Sequence, residues 1–253
     1  MILHGVEIVY LIPTLNEAPT VGEVVRRAKR YARRVVVVDG YSGDDTCDRA
    51  EEAGAEILLQ KGKGKGAALH TAFSSIDADI YVIVDGDGTY DVGETEELLA
   101  PILMGEARMA IGSRLSGKLE DGAISKTHLL GNRFFNYLIN VLFRSDVTDS
   151  QSGFRVISRD AMDLQGLRSK GFEIETEMTI QALGKGVKVV EVPIAYGRRT
   201  GSPSKLNGFR HGFSILITIL RIWTASQLGN YALTMNGSRQ KQLPHTEEVA
   251  FPT

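Results

Sequence analysis

The sequence predicts an α/β protein: a mainly parallel sheet flanked by helices. Three observations carry this. Short continuous apolar runs recur along the first half of the 253-residue chain. Most are followed by a stretch of helical character, and strands buried on both faces read as unbroken apolar runs rather than alternating ones. Polar residues collect just after the runs, and in open α/β sheets ligands bind beyond the carboxyl ends of the strands.

Taken in order, Ile8 to Ile12 is a first strand ending at Pro13-Thr14-Leu15-Asn16-Glu17. Thr20 reads as a helix N-cap with Glu23 as its capping-box partner. That helix extends to about Arg34 and carries Arg26, Arg27, Lys29, Arg30 and Arg33, a solvated face or a contact for an anionic membrane. Val35 to Val38 is a second strand ending on Asp39. A helix over Thr46 to Ala53, a strand over Glu56 to Leu59, a Lys61–Gly66 loop and a helix through Phe73 follow. The fourth strand is Ile80 to Val84, then comes a helix over 94–103 and the run Met109 to Arg114.

The second half is less regular. Residues 125–143 form a helix whose apolar stripe is wider than one buried face needs. A strand over Phe154 to Ile157 and a helix over Phe172 to Leu183 lead to a strand over Val187 to Val192 that stops at Pro193. A basic loop, Arg198 to Lys205, precedes a helix over 209–223. Its apolar centre is too short to span a bilayer, and its Arg and Trp suit a headgroup boundary. Residues 224–253 show no period and read as a mobile tail.

Composition bounds the function. A 43% hydrophobic content supplies a core, and the net charge of −2 argues neither for nor against nucleic acid; no nucleic-acid partner is expected. The lone cysteine, Cys47, excludes an internal disulfide and a cysteine-based zinc cluster. No signal peptide and no spanning helix are expected.

Chemistry concentrates at Asp85-Gly86-Asp87. Two carboxylates at the end of a buried strand suit a hard cation such as Mg²⁺ or Mn²⁺, bridging to a diphosphate rather than caged by protein. The alternative is a polar turn. Gly62, Gly64 and Ala67 also match a dinucleotide fingerprint, with Asp85 about 20 residues on. Against it stand the unit's late position, the crowding of Lys61, Lys63 and Lys65, and the lack of a task for Asp87. A Walker loop fails because Gly66 follows Lys65.

Together the motifs resemble family 2 glycosyltransferases of the GT-A fold, and within them the polyprenyl-phosphate sugar synthases such as dolichyl-phosphate mannose and glucose synthases. The match spans about Val9 to Trp223. It rests on I-P-T-L-N-E at Ile12 to Glu17, V-V-D-G-Y-S-G-D-D-T at Val37 to Thr46, G-K-G-A-A-L at Gly64 to Leu69 and D-G-D at Asp85 to Asp87. G-S-R at Gly112 to Arg114, D-x-x-S-G-F-R at Asp149 to Arg155 and the Ser204-Lys205 loop complete it. Gly40 and Tyr41 stand where the family has Asp-Gly, and Thr89 where many relatives have Gln.

The resemblance implies a metal-dependent inverting transfer of a hexosyl unit from a UDP- or GDP-linked donor to a polyprenyl or dolichyl phosphate. Pro13, Thr14, Asn16, Glu17, Asp39, Ser42, Lys65, Asp85 and Gly86 would bind the donor, and Asp85 and Asp87 the metal. Asp87, Arg114, Lys205 and Glu175 would be catalytic. Arg114, His128, Arg133, Arg155, Arg198, Arg199 and Lys205 are candidates for the acceptor phosphate, which needs cations rather than a base. Residues 1–115 would form the donor half and 116–207 the acceptor half, with 208–223 an amphipathic interface helix and 224–253 the tail. The enzyme would sit peripherally on the cytoplasmic face of a membrane. A sugar or protein hydroxyl acceptor, with Glu175 or Glu177 as base, is the first rival. A dinucleotide oxidoreductase and a non-catalytic binding module follow.

Overall fold

The computed structural model describes residues 5–161, 163–202 and 208–227. Among them, seven strands form one sheet in the order β3-β2-β1-β4-β6-β5-β7. They are β1 (Ile8–Thr14), β2 (Arg34–Asp39), β3 (Glu56–Leu59), β4 (Ile80–Ile83), β5 (Met109–Leu119), β6 (Arg155–Ser158) and β7 (Val189–Tyr196). The helices are α1 (Val21–Ala28), α2 (Thr46–Glu52), α3 (Lys65–Ser75), α4 (Thr95–Leu103), α5 (Lys126–Phe143), α6 (Ile174–Gly184) and α7 (Gly208–Gln227). β6 runs antiparallel to both its neighbours, and the other pairings are parallel. The mainly parallel α/β expectation holds.

The apolar runs are continuous because both faces are covered. Tyr10, Ile12, Val35 and Val37 join one core with Val21, Val24 and Val25 of α1 and Leu98 of α4. Their neighbours Val9, Leu11, Val36 and Val38 point the other way, into a core with Leu69 and Phe73 of α3 and Met178 of α6. This is the period-two alternation of a strand, with an apolar partner on each side. A third cluster joins Ile139 of α5, Ile180 of α6 and Ile215, Ile219 and Ile222 of α7.

Several expected boundaries move. α1 stops at Ala28, because the chain must turn before Arg34 to lay β2 beside β1, where Arg34 pairs with Val9. The capping box does not form. The Thr20 hydroxyl donates to the Gly86 carbonyl at 2.7 Å, and Glu23 pairs with Arg26 instead. Basic residues around α1 meet acidic partners of their own surface: Arg26 with Glu23, Arg27 with Asp91 and Arg34 with Glu56. β7 continues through Pro193 to Tyr196, which proline tolerates because β7 is the sheet edge. α7 runs to Gln227, so residues 224–227 are helical rather than tail. The remainder of that tail, 228–253, and Lys205 lie outside the described residues. No described helix is long and apolar enough to cross a membrane.

Candidate active site

The polar ends of β2, β1 and β4 lie side by side at one edge of the sheet. At the end of β1, Thr14 donates its hydroxyl to Asp39 at 3.1 Å, and the Ser42 amide and hydroxyl donate to the same carboxylate at 2.8 and 2.6 Å. Asn16 adopts a left-handed φ of 52°. Its amide donates to Ser42 Oγ at 2.7 Å and its side-chain oxygen accepts from Gly43 N at 2.8 Å. The two loops after β1 and β2 are thus laced together. Tyr41, in place of the family's glycine, holds φ 63° and leaves its ring largely in solvent.

Beyond β4, Asp85 and Asp87 flank Gly86, where a Cβ would lie 2.7 Å from the Thr14 methyl group. Only glycine lets this turn lie against β1. Burial first, and the Asp85 charge second, push the Asp87 carboxyl above its usual range, while Thr89 and Arg199 pull it back. Thr89 donates to Asp87 Oδ1 at 2.7 Å, so it supports that carboxylate. Paired oxygen donors with mutual repulsion fit a divalent cation. No described group of three or more His, Cys, Asp or Glu forms a cage, in keeping with a cation shared with a diphosphate.

Each carboxylate meets an internal cation. The Lys65 ammonium, whose side chain is only 9% exposed, contacts Asp85 and lies 2.5 Å from Glu175 Oε1. Burial disfavours the ammonium, but Asp85 and Glu175 outweigh it and hold its pKa up. Burial also raises Glu175, whose Oε2 has no hydrogen-bond partner. Gly153 makes room for this group: a Cβ there would lie 2.5 Å from Asp85 Oδ2 and 2.8 Å from Lys65 Nζ. Arg199 reaches over this edge, with Nη1 2.8 Å from Asp87 Oδ2 and Nη2 on Glu17.

Lys65 therefore neutralises carboxylates, where the sequence suggested direct donor binding. The glycine loop is explained differently too. A Cβ at Gly66 would sit 2.2 Å from Ser169 O, and one at Gly64 2.5 Å from Lys170 O. The Gly66 and Ala67 amides, which a pyrophosphate would need, donate to Gly171 O and Lys170 O at 3.2 and 3.1 Å. The glycines receive a neighbouring segment, and the dinucleotide reading falls.

The acceptor candidates separate. Arg155 is fully buried and bonds Ser152 O at 2.8 Å, Thr179 Oγ1 at 2.8 Å and Ser150 O at 2.5 Å. It is a structural residue, since its guanidinium is committed inside the protein. Arg114 forms a two-point pair with Asp149 at 2.7 and 2.8 Å and lies over Tyr196, 5.1 Å from the ring centre. Burial opposes its charge, but Tyr90 and Asp149 raise its pKa well above normal. Arg198 bonds Glu120 and Asp121 O at the surface. Arg133 is exposed on α5, and His128 lies partly buried near Gly208 at the start of α7. Glu177 accepts from Arg168 N at 3.0 Å and Ser169 N at 2.6 Å and pairs with Arg221 at 3.2 Å. Those bonds hold both of its carboxylate oxygens.

Sequence reasoning passed over Asp149, Tyr90 and Ser202. Tyr90 Oη accepts from Gly153 N at 2.7 Å beneath the site, and Ser202 donates to Glu17 at 2.7 Å. Asp149 opens a motif already singled out; Tyr90 and Ser202 carry no sequence signal beyond adjacency to the motifs.

Residues 10–164 match the profile described as glycosyl transferase family 2. The chain belongs to that family. It is therefore a glycosyltransferase, and the expected GT-A type of α/β fold stands. It is 36% identical over 215 residues to glycosyltransferase AglJ of Haloferax volcanii, covering 83% of this chain and 70% of that protein. It is 35% identical to the low-salt glycan biosynthesis hexosyltransferase Agl6 of the same organism, covering 79% of this chain but about half, 51%, of the relative. Among solved structures, glucosyl-3-phosphoglycerate synthase of Mycobacterium tuberculosis in complex with Mn²⁺, UDP and phosphoglyceric acid aligns with a TM-score of 0.71 at 21% identity. That alignment covers 87% of this chain and 79% of the other, and it speaks to the fold.

Proposed function

We propose that this family 2 enzyme moves a hexosyl unit from a UDP- or GDP-linked sugar to a polyprenyl or dolichyl phosphate. It would work peripherally on the cytoplasmic face of a membrane and feed lipid-linked glycan or protein glycosylation. The observation that carries the lipid acceptor is the exposed apolar strip on α5 and α7. On α5 it comprises Leu130 (71% exposed), Phe134, Tyr137 (68%) and Val141, spaced as one helical face. On α7 it comprises Phe213, Ile217 and Leu220. The two helices pack on each other through their other sides. Such strips mark protein, ligand or membrane contacts, and Arg133 and Lys126, exposed on α5, suit anionic headgroups.

The chemistry follows from the residues present. Asp85 and Asp87 would hold Mg²⁺ or Mn²⁺ on the donor diphosphate. When bound, the cation supplies charge neutralisation for the departing nucleotide. The Asp39–Ser42–Asn16 loops would seat the nucleoside, as the family resemblance implies. A phosphate oxygen is already anionic near neutral pH and needs no base, so in-line attack at the anomeric carbon inverts it. Names of relatives support the sugar side: Agl6 is called a hexosyltransferase of glycan biosynthesis. The solved neighbour with Mn²⁺ and UDP supports the metal-and-nucleotide reading.

The test is transfer of radiolabelled sugar from a panel of UDP and GDP donors to short-chain dolichyl phosphate with Mn²⁺ or Mg²⁺. An organic-soluble, acid-labile product that disappears in Asp87→Asn supports the proposal. The orphaned oxygen of Glu175 favours one second reading, a hydroxyl acceptor. A water-soluble product that Glu175→Gln abolishes, with no lipid product, would establish that reading instead.

A further inference from the structure

We propose that Arg199 is an internal cation that latches the motif after β1 to the motif after β4 and is expelled when metal binds. This deepens the proposed function and rests on its assignment of Asp87 to the cation site. The Arg199 guanidinium uses both ends at once. Nη1 donates to Asp87 Oδ2 at 2.8 Å, while Nη2 donates to Glu17 Oε1 and to Ser202 Oγ at 2.9 Å. Nε donates to Ser202 O at 2.6 Å, curling the segment on itself, and Ser202 Oγ donates onward to Glu17 Oε2 at 2.7 Å. Glu17 and Asp87 are both buried, and they are 70 residues apart in sequence and more than 100 from Arg199. One side chain from the far end of the fold therefore joins the motif after β1 to the motif after β4.

The physical need for it is plain. Asp85 and Asp87 repel each other across a desolvated turn. Lys65 neutralises Asp85 permanently from inside, because it is buried and pinned by Glu175. Among the described residues Asp87 has no such fixed buried cation; its partner, Arg199, comes from the segment that follows β7. A divalent ion on Asp87 would bring a second positive centre to the oxygen Arg199 already holds. Like charges at that separation exclude each other, so metal and guanidinium compete for the carboxylate. The segment bearing Arg199 follows β7 and precedes α7 in the chain.

A latched state that holds about 90% of the molecules weakens apparent metal affinity about tenfold. The experiment titrates the protein with Mn²⁺ alone and follows free Mn²⁺ by electron paramagnetic resonance. No donor or acceptor is present. Arg199→Gln should bind Mn²⁺ about tenfold more tightly than the unaltered protein, and Ser202→Ala should shift it a few-fold the same way. Asp87→Asn should abolish the binding. Hydrogen exchange gives a second readout: Mn²⁺ should speed exchange in residues 197–202 of the unaltered protein but not of Asp87→Asn. Equal or weaker binding by Arg199→Gln, with Asp87→Asn still abolishing it, overturns the latch and leaves the metal site standing. Undiminished binding by Asp87→Asn, or no binding by any of the proteins, removes the site assignment itself, and the latch with it.

Discussion

Replacing Lys65 by methionine should destabilise the protein severely. The side chain is 9% exposed, and its ammonium lies between Asp85 and Glu175, whose side chains are 26% and 4% exposed. Methionine fills most of the volume but leaves two carboxylates facing each other without a counter-charge. Removing one partner of a buried ionic group costs about 3–5 kcal/mol, mostly because the remaining charge is stranded. With a urea dependence of about 2 kcal/mol per molar, the unfolding midpoint should fall by about 1.5–2.5 M, read by circular dichroism. Glu175→Gln should cost far less, about 1 kcal/mol, because burial already disfavours its charge and the Lys65–Asp85 pair survives. The two substitutions should also couple. Lys65→Met with Glu175→Gln should be more stable than Lys65→Met alone, because one stranded charge is gone. A loss below about 1 kcal/mol for Lys65→Met, or a double variant no more stable than Lys65→Met, would refute the buried triad as the source of the stability.

Three further outcomes follow from other parts of the fold. Arg155→Met should lower stability by about 2–4 kcal/mol, since the Ser150 and Ser152 carbonyls lose their buried donor; the Michaelis constant for the acceptor should not move, which kinetics on the folded fraction would check. Tyr41→Gly should raise stability by about 0.5–1 kcal/mol. It relieves a left-handed backbone at φ 63° against the entropic cost of glycine, and a melting curve would register a rise of a few degrees. Cys47 should be a sluggish thiol. Burial, then the Asp39 charge, pushes its pKa to about 11, so only ~0.1% is thiolate at pH 8. Labelling by a disulfide reagent should quicken about tenfold per pH unit up to pH 10, and a plateau near pH 8 would refute the assignment.

The order of elements was legible in the sequence because period and burial obey the same geometry. Val35 to Val38 needed apolar neighbours on both sides, and only a covered parallel sheet supplies them. The strand-end carboxylates Asp39, Asp85 and Asp87 were legible for the same reason, since sheet direction gathers strand ends on one edge. Boundaries set by tertiary demands were not. Thr20 looked like a cap but spends its hydroxyl on Gly86, and Pro193 looked like a stop but sits within an edge strand. The glycines of the Lys61–Gly66 loop matched a dinucleotide fingerprint; that they receive the segment Ser169 to Gly171 was not legible.

The sequence by itself determined the fold class, the family and the placing of Asp39, Asp85 and Asp87 at strand ends. Those follow from local spacing and from motif order, which need no knowledge of distant contacts. Only the tertiary structure decided which cation serves which carboxylate. Lys65 turns inward to Asp85 and Glu175, Arg114 locks to Asp149, Arg155 is entombed, and Arg199 reaches across to Asp87 and Glu17. A basic residue near a motif carries no label for its partner. The choice depends on desolvation and on where the folded backbone brings opposite charges within hydrogen-bonding distance.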